Sequence, residues 1–294
     1  MRGGKSRPWR GNCNCDVAHL QARRGLCIPM GTMQGIEMVD VNASNVDEVG
    51  LFCAMSKPDS IGYQEKLAWA KERFSEGLRI KLLRGESSGF IEYMPGKMAW
   101  RGIEAPGYMV IHCLWVVGRA KGKGSGKALL EACLRDARAA GTHGVVAVTA
   151  HDQVGLVDTD FFLHNGFHIV QSVQGIDMVA LKFDLAAADP HFAHDLRKKG
   201  KALGPELTVV SSPQCPYTYE GAQEIVELAH QNKIPARSLR VNTLAQLRHT
   251  SPSPYASFDI VYDGKVISHM FHCMTAQRLG RLVDEVSERE HCCV

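Results

Sequence analysis

The hydrophobic pattern is irregular up to Pro29 and becomes regular from Ile36. Ile36–Val41 reads as a strand, and Asn42 and Ser44 are capping candidates for a helix continuing to Met55. In Tyr63–Phe74 the residues Leu67, Trp69, Ala70 and Phe74 recur at helical spacing, and Gly77 follows as a stop. Short strands at Leu78–Leu83 and Phe90–Tyr93 enclose a five-residue loop from Gly85 to Gly89. Pro95–Gly107 has no period and reads as an irregular loop. Met109–Val117 is a near-continuous apolar strand, followed by a glycine-rich loop and a helix over Lys127–Ala140. Val145–Thr149 is a second buried strand; a short helix over Asp160–His164 and strands Phe167–Val170 and Met178–Phe183 complete this unit.

The pattern then breaks. Two prolines, two glycines and the basic run Arg197–Lys201 mark residues 186–205 as a linker with a solvated charged face. It resumes at Leu207 with strand Leu207–Ser211, helix Gly221–His230, strands Arg237–Val241, Phe258–Tyr262 and Lys265–Ser268, and helix Thr275–Glu288. Two α/β units are therefore expected, at 34–185 and 206–288, with a leader or over-extended start at 1–33 and a tail at 289–294. Initiation at Met30 or Met33 is the simpler account of the leader.

Composition narrows the function classes. The 294 residues are 45% apolar and 22% charged, which suits a globular protein and excludes collagen-like or coiled-coil chains. Residues 1–29 carry six Lys/Arg against Asp16 alone, so the remainder is slightly acidic and shows no nucleic-acid footprint. The longest uncharged apolar run, Tyr108–Val117, is too short to span a bilayer. The ten cysteines are dilute and scattered, which points to free thiols and a reducing, cytoplasmic location. No metal site is expected. His269-x-x-His272-Cys273 does not complete a tetrahedral set, and the Cys13, Cys15 and Cys27 spacing is wrong for zinc.

The informative chemistry lies between strand 109–117 and the next helix. In Lys121-Gly122-Lys123-Gly124-Ser125-Gly126-Lys127 alternating glycines let successive backbone N–H groups turn into one concavity at a helix N-terminus, and the lysines add positive charge. A phosphate or pyrophosphate ligand follows. A P-loop is excluded because Gly126-Lys127 is followed by Ala128, and the spacing fails the dinucleotide-binding fingerprint.

With Lys121 in place of Arg or Gln, this segment resembles motif A of the GNAT superfamily of acyl-CoA-dependent N-acetyltransferases. Phe161-Phe162…Gly166-Phe167 resembles the late aromatic–Gly-Phe element of the same family. The resemblance covers about Ile36–Phe183 and implies a mixed central sheet flanked by helices, of α/β (α+β) class. It also implies acetyl-CoA as co-substrate, with Leu114 and Val116 offering backbone groups to the pantetheine and the amides of 122–127 holding the pyrophosphate. The reaction implied is acetyl transfer to an amine of a small-molecule acceptor. Aminolysis of a thioester needs a base and an acid. Phe162 stands where relatives carry an acidic Tyr, so His112, Cys113 and Glu92 become the catalytic candidates, with Tyr93 and Tyr108 nearby. Trp100 and Arg101 are candidates for selecting the acceptor.

Cys215-Pro216-Tyr217-Thr218 resembles the active site of glutaredoxins with Thr218 replacing the resolving cysteine, and Ser253-Pro254 resembles the proline loop that faces the thiol in thioredoxin-like folds. Acetyltransferases with such a tail form the YoaP-like group. A thiol just before a helix is expected to have a lowered pKa, so Cys215 is expected to be the redox thiol and the most reactive one, helped by the Thr218 hydroxyl. The alternative function is a non-catalytic acyl-CoA-binding or thiol-sensing protein using Cys215.

Overall fold

The computed structural model describes residues 36–85, 88–117, 124–151, 156–173, 175–270 and 274–291. In chain order the first unit consists of β1 (Ile36–Val41), α1 (Val46–Val49), α2 (Ile61–Phe74), β2 (Arg79–Gly85), β3 (Ser88–Pro95), β4 (Ile103–Glu104), β5 (Met109–Val117), α3 (Ser125–Ala139), β6 (Gly144–Ala150), β7 (Val157–Asp158), α4 (Thr159–Leu163), β8 (His168–Val173) and β9 (Ile176–Lys182). Its sheet runs β1-β2-β3-β5-β6-β9-β8, with β7 beside β6. Pairing is antiparallel except at β5–β6 and β6–β7, so this is a mixed sheet.

Alternating residues sort the β2–β3–β5 part of the sheet into two faces. Ile91, Tyr93, Ile111 and Leu114 pack with Leu129, Leu130 and Cys133 of α3 and Phe162 of α4. Ile80, Leu82, Phe90 and Met94 pack on the opposite face with Tyr63, Trp69 and Ala70 of α2. Ser60 caps α2, its hydroxyl accepting from Tyr63 N at 3.3 Å. The helix expected to reach Met55 is a single turn, because Gly50 at its end takes φ +76° and Ala54 sits in the left-handed region. In the Pro95–Gly107 stretch, expected to be irregular, a 3-10 turn at Gly96–Met98 precedes β4.

The expected linker is a built strap. It holds β10 (His191–Phe192), which pairs with β4, and α5 (Leu196–Ala202). Lys199 of the basic run is buried and paired with Asp195 at 2.7 Å rather than solvated. Tyr108 Oη donates to Ala188 O, and Phe192 N to Gln171 Oε1.

The second unit holds β11 (Leu207–Ser211), α6 (Thr218–Gln231), β12 (Ala236–Arg240), α7 (Leu244–Thr250), β13 (Phe258–Tyr262), β14 (Lys265–Ser268) and α8 (Ala276–His291). Its sheet order is β12-β11-β13-β14; β11 is parallel to β12 and antiparallel to β13. The period had not shown α7, a helix of only seven residues started by a Thr243–Gln246 capping box. The units share their cores. One apolar cluster joins Ala99, Ile103 and Tyr108 through Phe192 to Tyr255 and Phe258, and another joins Trp69 and Trp100 to Val210, Leu247 and Val261.

Candidate functional site

Two places on β5 matter, and they lie one residue apart. The parallel β5–β6 ladder contains only Met109, Val110 and Ile111 opposite Val145, Val146 and Ala147. Beyond Ile111 the described ladder ends while β6 continues to Ala150 along β9 and β7, so Leu114 and Val116 lie where β5 has parted from β6. Helix α3 starts beside this fork. Its N-cap, Gly124, takes φ +88°, and a Cβ there would meet nothing within 4 Å. Ser125 is buried, whereas Gly124 and Lys127 are exposed. Gly126 faces the ring of Phe161 and the side chain of Leu114. The first turn of α3 and the positive end of its dipole therefore open next to the fork. Lys121, Gly122 and Lys123 lie outside the described residues.

The second place is a bulge. Glu92 pairs with Cys113 and Tyr93 with Ile111, so His112 is the extra residue. Two residues of a bulged strand oppose one partner, which brings both His112 and Cys113 to the neighbourhood of Glu92. The α2 side chain Lys66 reaches the same spot and forms a buried ion pair with Glu92. His112 Nε2 accepts from the backbone N–H of Trp100 at 3.0 Å, which leaves the proton of the neutral ring on Nδ1, 3.3 Å from Glu92 Oε1. Arg101 donates to the His112 and Trp100 carbonyls, to Gln214 Oε1 and to Ser257 Oγ, tying the bulge to the second unit. Gln214 Nε2 in turn lies 3.4 Å from Glu92 Oε1.

Backbone meets backbone around this junction. A Cβ on Gly62 would fall 1.9 Å from Pro216 O, and one on Gly102 2.2 Å from Ser253 O, so only glycine lets the Cys215–Pro216 and Ser253–Pro254 loops seat there. Ala54 N donates to Tyr217 Oη, and Arg240 pairs with Glu65. The two loops of the second unit that carry its thiol and its proline motif are therefore turned inward onto the first unit.

Burial sets the electrostatics. It would raise the Glu92 carboxyl, but the Lys66 ammonium, with His112, overrides it and holds the group at about 2. His112 is pushed down to about 4 by burial, which the bond to Glu92 only partly offsets. Burial, then the Glu92 charge, drives Cys113 up to about 12. Near neutral pH these shifts leave Glu92 and His112 little basicity, and His112 Nε2 already accepts from Trp100 while its Nδ1 faces Glu92. Tyr93 is held by Asp136 at 2.6 Å on the α3 face, and Tyr108 lies under the strap. Neither joins the Glu92 cluster. Trp100 and Arg101 are buried parts of the junction.

At Cys215 the direction differs from the expected one. Burial raises its thiol even though the backbone N–H of Tyr217 opposes the shift. Thr218 Oγ1 donates to the carbonyls of Ser212 and Cys215 instead of to sulfur. Ionising Cys113 or Cys215 would raise Cys53 further, and all three thiols feel the Glu92 carboxylate, so they lie in one neighbourhood. His269 is bound to Asp259 at 2.8 Å in the second unit, while His272 and Cys273 lie outside the described residues. Sequence reasoning missed Lys66 and Gln214. The signal for Lys66 was present: it sits on the Tyr63–Ala70 stripe of α2, where the period asks for an apolar residue.

No helix among the described residues is long and apolar enough to cross a membrane. The model of the acetyltransferase (GNAT) family matches residues 51–167. The uncharacterized N-acetyltransferase YoaP of Bacillus subtilis (strain 168) is 30% identical over 252 residues, which cover 85% of this chain and 99% of that one. Such a span exceeds the first unit and must extend into the second. Among solved structures, PaiA N-acetyltransferase from Thermoplasma acidophilum in complex with coenzyme A is 16% identical, covering 51% of this chain and 100% of its own, with a TM-score of 0.34. A GNAT family acetyltransferase from Brucella melitensis in complex with acetyl-CoA is 16% identical, covering 53% and 95%, with a TM-score of 0.33.

Proposed function

The chain belongs to the GNAT acetyltransferase family, and from that premise we propose that it transfers the acetyl group of acetyl-CoA to an amine of a small-molecule acceptor. The observation that carries the reading is the fork of β5 and β6 beside the open N-cap at Gly124. The pantetheine would lie along Leu114 and Val116 in place of the missing ladder, and its pyrophosphate on the amides of 122–127. Lys121, Lys123 and Lys127 would add long-range attraction for the anion.

Isothermal titration with acetyl-CoA tests this directly, together with coenzyme A release across a panel of small amines. Saturable binding that Gly124→Trp abolishes, with its circular dichroism unchanged, is expected. Failure of the native chain to bind acetyl-CoA overturns the reading.

The second unit is proposed to be a thioredoxin-like domain used as a wall of the acceptor side. Its β-α-β-α-β-β-α order and the shared direction of its Cys215 and Pro254 loops support that assignment. In the same reading Glu92 and His112 are positioning groups: they hold the Trp100–Arg101 segment against Gln214 next to the fork, with Cys113 beside them on the bulged strand. The thiol-sensing alternative requires an available thiolate at Cys215, which burial opposes. Limiting iodoacetamide, read by peptide mass spectrometry at pH 7, is expected to leave Cys215 and Cys113 slow to label. Preferential labelling of Cys215 would restore the sensor reading.

A further inference from the structure

Next to Gly102, the strap pairs with β4. We propose that Glu104, His191 and His194 form a site for one divalent transition-metal ion of zinc type, which clamps the strap to the acetyltransferase unit. Cross-strand pairing places His191 directly opposite Glu104, and His194 follows three residues on. His191 Nε2 lies 3.8 Å from Glu104 Oε2, and the His194 ring lies 4.6 Å from the His191 ring. One donor atom from each of the three side chains falls within 4.8 Å of the others. A tetrahedral zinc ion with bonds of about 2.0–2.1 Å holds its ligands roughly 3.4 Å apart, so small side-chain rotations close the set.

A second observation points the same way. His191 Nδ1 lies 3.1 Å from the carbonyl of Phe192. A carbonyl only accepts, so Nδ1 carries the proton and Nε2 keeps its lone pair, turned toward Glu104. That outer bond is how proteins fix the tautomer of a metal-binding histidine. Two imidazoles and one carboxylate suit zinc and its neighbours in the first transition row rather than magnesium or calcium. The fourth position is left to water, since the group lies at the surface with Glu104 and His194 exposed.

The place gives the ion something to do. Next to the site, Ala193 N donates to Gly102 O, and Gly102 N donates to Pro254 O of the second unit. An ion joining β4 to β10 therefore fastens the segment on which the second unit docks. It would stabilise the docked arrangement without touching the fork.

Cobalt(II) is the probe, because its visible bands distinguish nitrogen and oxygen ligation from thiolate ligation. Full-length protein freed of metal by a chelator is titrated with cobalt(II), and then with zinc(II) to displace it. One equivalent is expected, without thiolate charge-transfer bands and with a raised thermal midpoint. His191→Ala/His194→Ala should lose both the uptake and the shift. His151→Ala, which alters the separate His151, Asp158 and Asp160 group, should change neither. Absence of stoichiometric uptake, thiolate bands, or uptake that survives the double substitution would each overturn the proposal.

Discussion

The two faces of the central sheet are built on opposite principles. On the α3 side the fork is made of backbone: a ladder that stops after Ile111 and a helix that starts at a left-handed glycine. On the α2 side the junction is made of side chains: Lys66, Glu92, His112, Arg101 and Gln214, all buried and drawn from both units. Backbone donors suit a ligand whose phosphates vary little, and they need only local sequence to form. Side-chain convergence needs the whole fold, and each member depends on the others for its charge balance.

The largest effect is expected from breaking that balance. Lys66→Met leaves the Glu92 carboxylate buried without its cation and should cost about 3–5 kcal/mol of stability. Acetyl-CoA affinity of the fraction that stays folded should change less than twofold. Denaturant unfolding and calorimetric titration measure the two separately. A large loss of affinity with little loss of stability would mean that the faces are not independent.

Acid should dissolve the junction in two stages. His112 titrates at about 4 in the folded chain against about 6.5 unfolded, so the unfolded state takes the proton first. Its contribution is complete above about pH 6.5 and falls away down to about pH 4, by up to about 3 kcal/mol. Glu92, at about 2 against about 4.3 unfolded, contributes fully above that value and is lost as pH falls toward 2. Stability profiles of the native chain and of His112→Gln should diverge in slope between pH 6.5 and 4 and run parallel above. Equal slopes throughout would remove His112 from the linkage.

A smaller change, of opposite kind, belongs to the fork. Gly124→Val forces a β-branched residue to φ +88° and should cost about 1–2 kcal/mol. Here acetyl-CoA affinity should fall at least tenfold, because the first-turn amides shift. Stability suffers less than with Lys66→Met and binding suffers more.

The unequal legibility of the two faces in the sequence has the same origin. Strands β1, β5, β11, β13 and β14 have the bounds that apolar runs and turn signals imply, since those signals are properties of consecutive residues. The glycine loop could be read because N-cap chemistry is a property of consecutive residues. The bulge at His112 could not, because it is a mismatch in register between β3 and β5, and register is not written in either strand alone. The direction at Cys215 depends on packing for a related reason. A helix N-terminus predicts a lowered thiol, but desolvation raises it in a loop whose Pro216 approaches Gly62, far away in the chain. Residues 186–205 read as a linker because the anchors of the strap are single hydrogen bonds, a two-residue strand and a short helix, which leave little period.

The finest test of the junction is Tyr217→Phe. The Tyr217 hydroxyl accepts from Ala54 N at 2.9 Å across the unit boundary, and Ala54 is held at φ +57°, where a non-glycine residue is strained. Without that oxygen the amide loses a partner in a part-buried place, a cost of about 1 kcal/mol. The strained turn then has one tether fewer, while Leu51 N keeps its bond to Tyr63 Oη. Hydrogen exchange should therefore quicken at Ala54 and its neighbours and stay unchanged at Leu51, on α3 and along β6. Faster exchange at Leu51 as well would mean that the segment opens as one piece, anchored by the second unit rather than by its own helix.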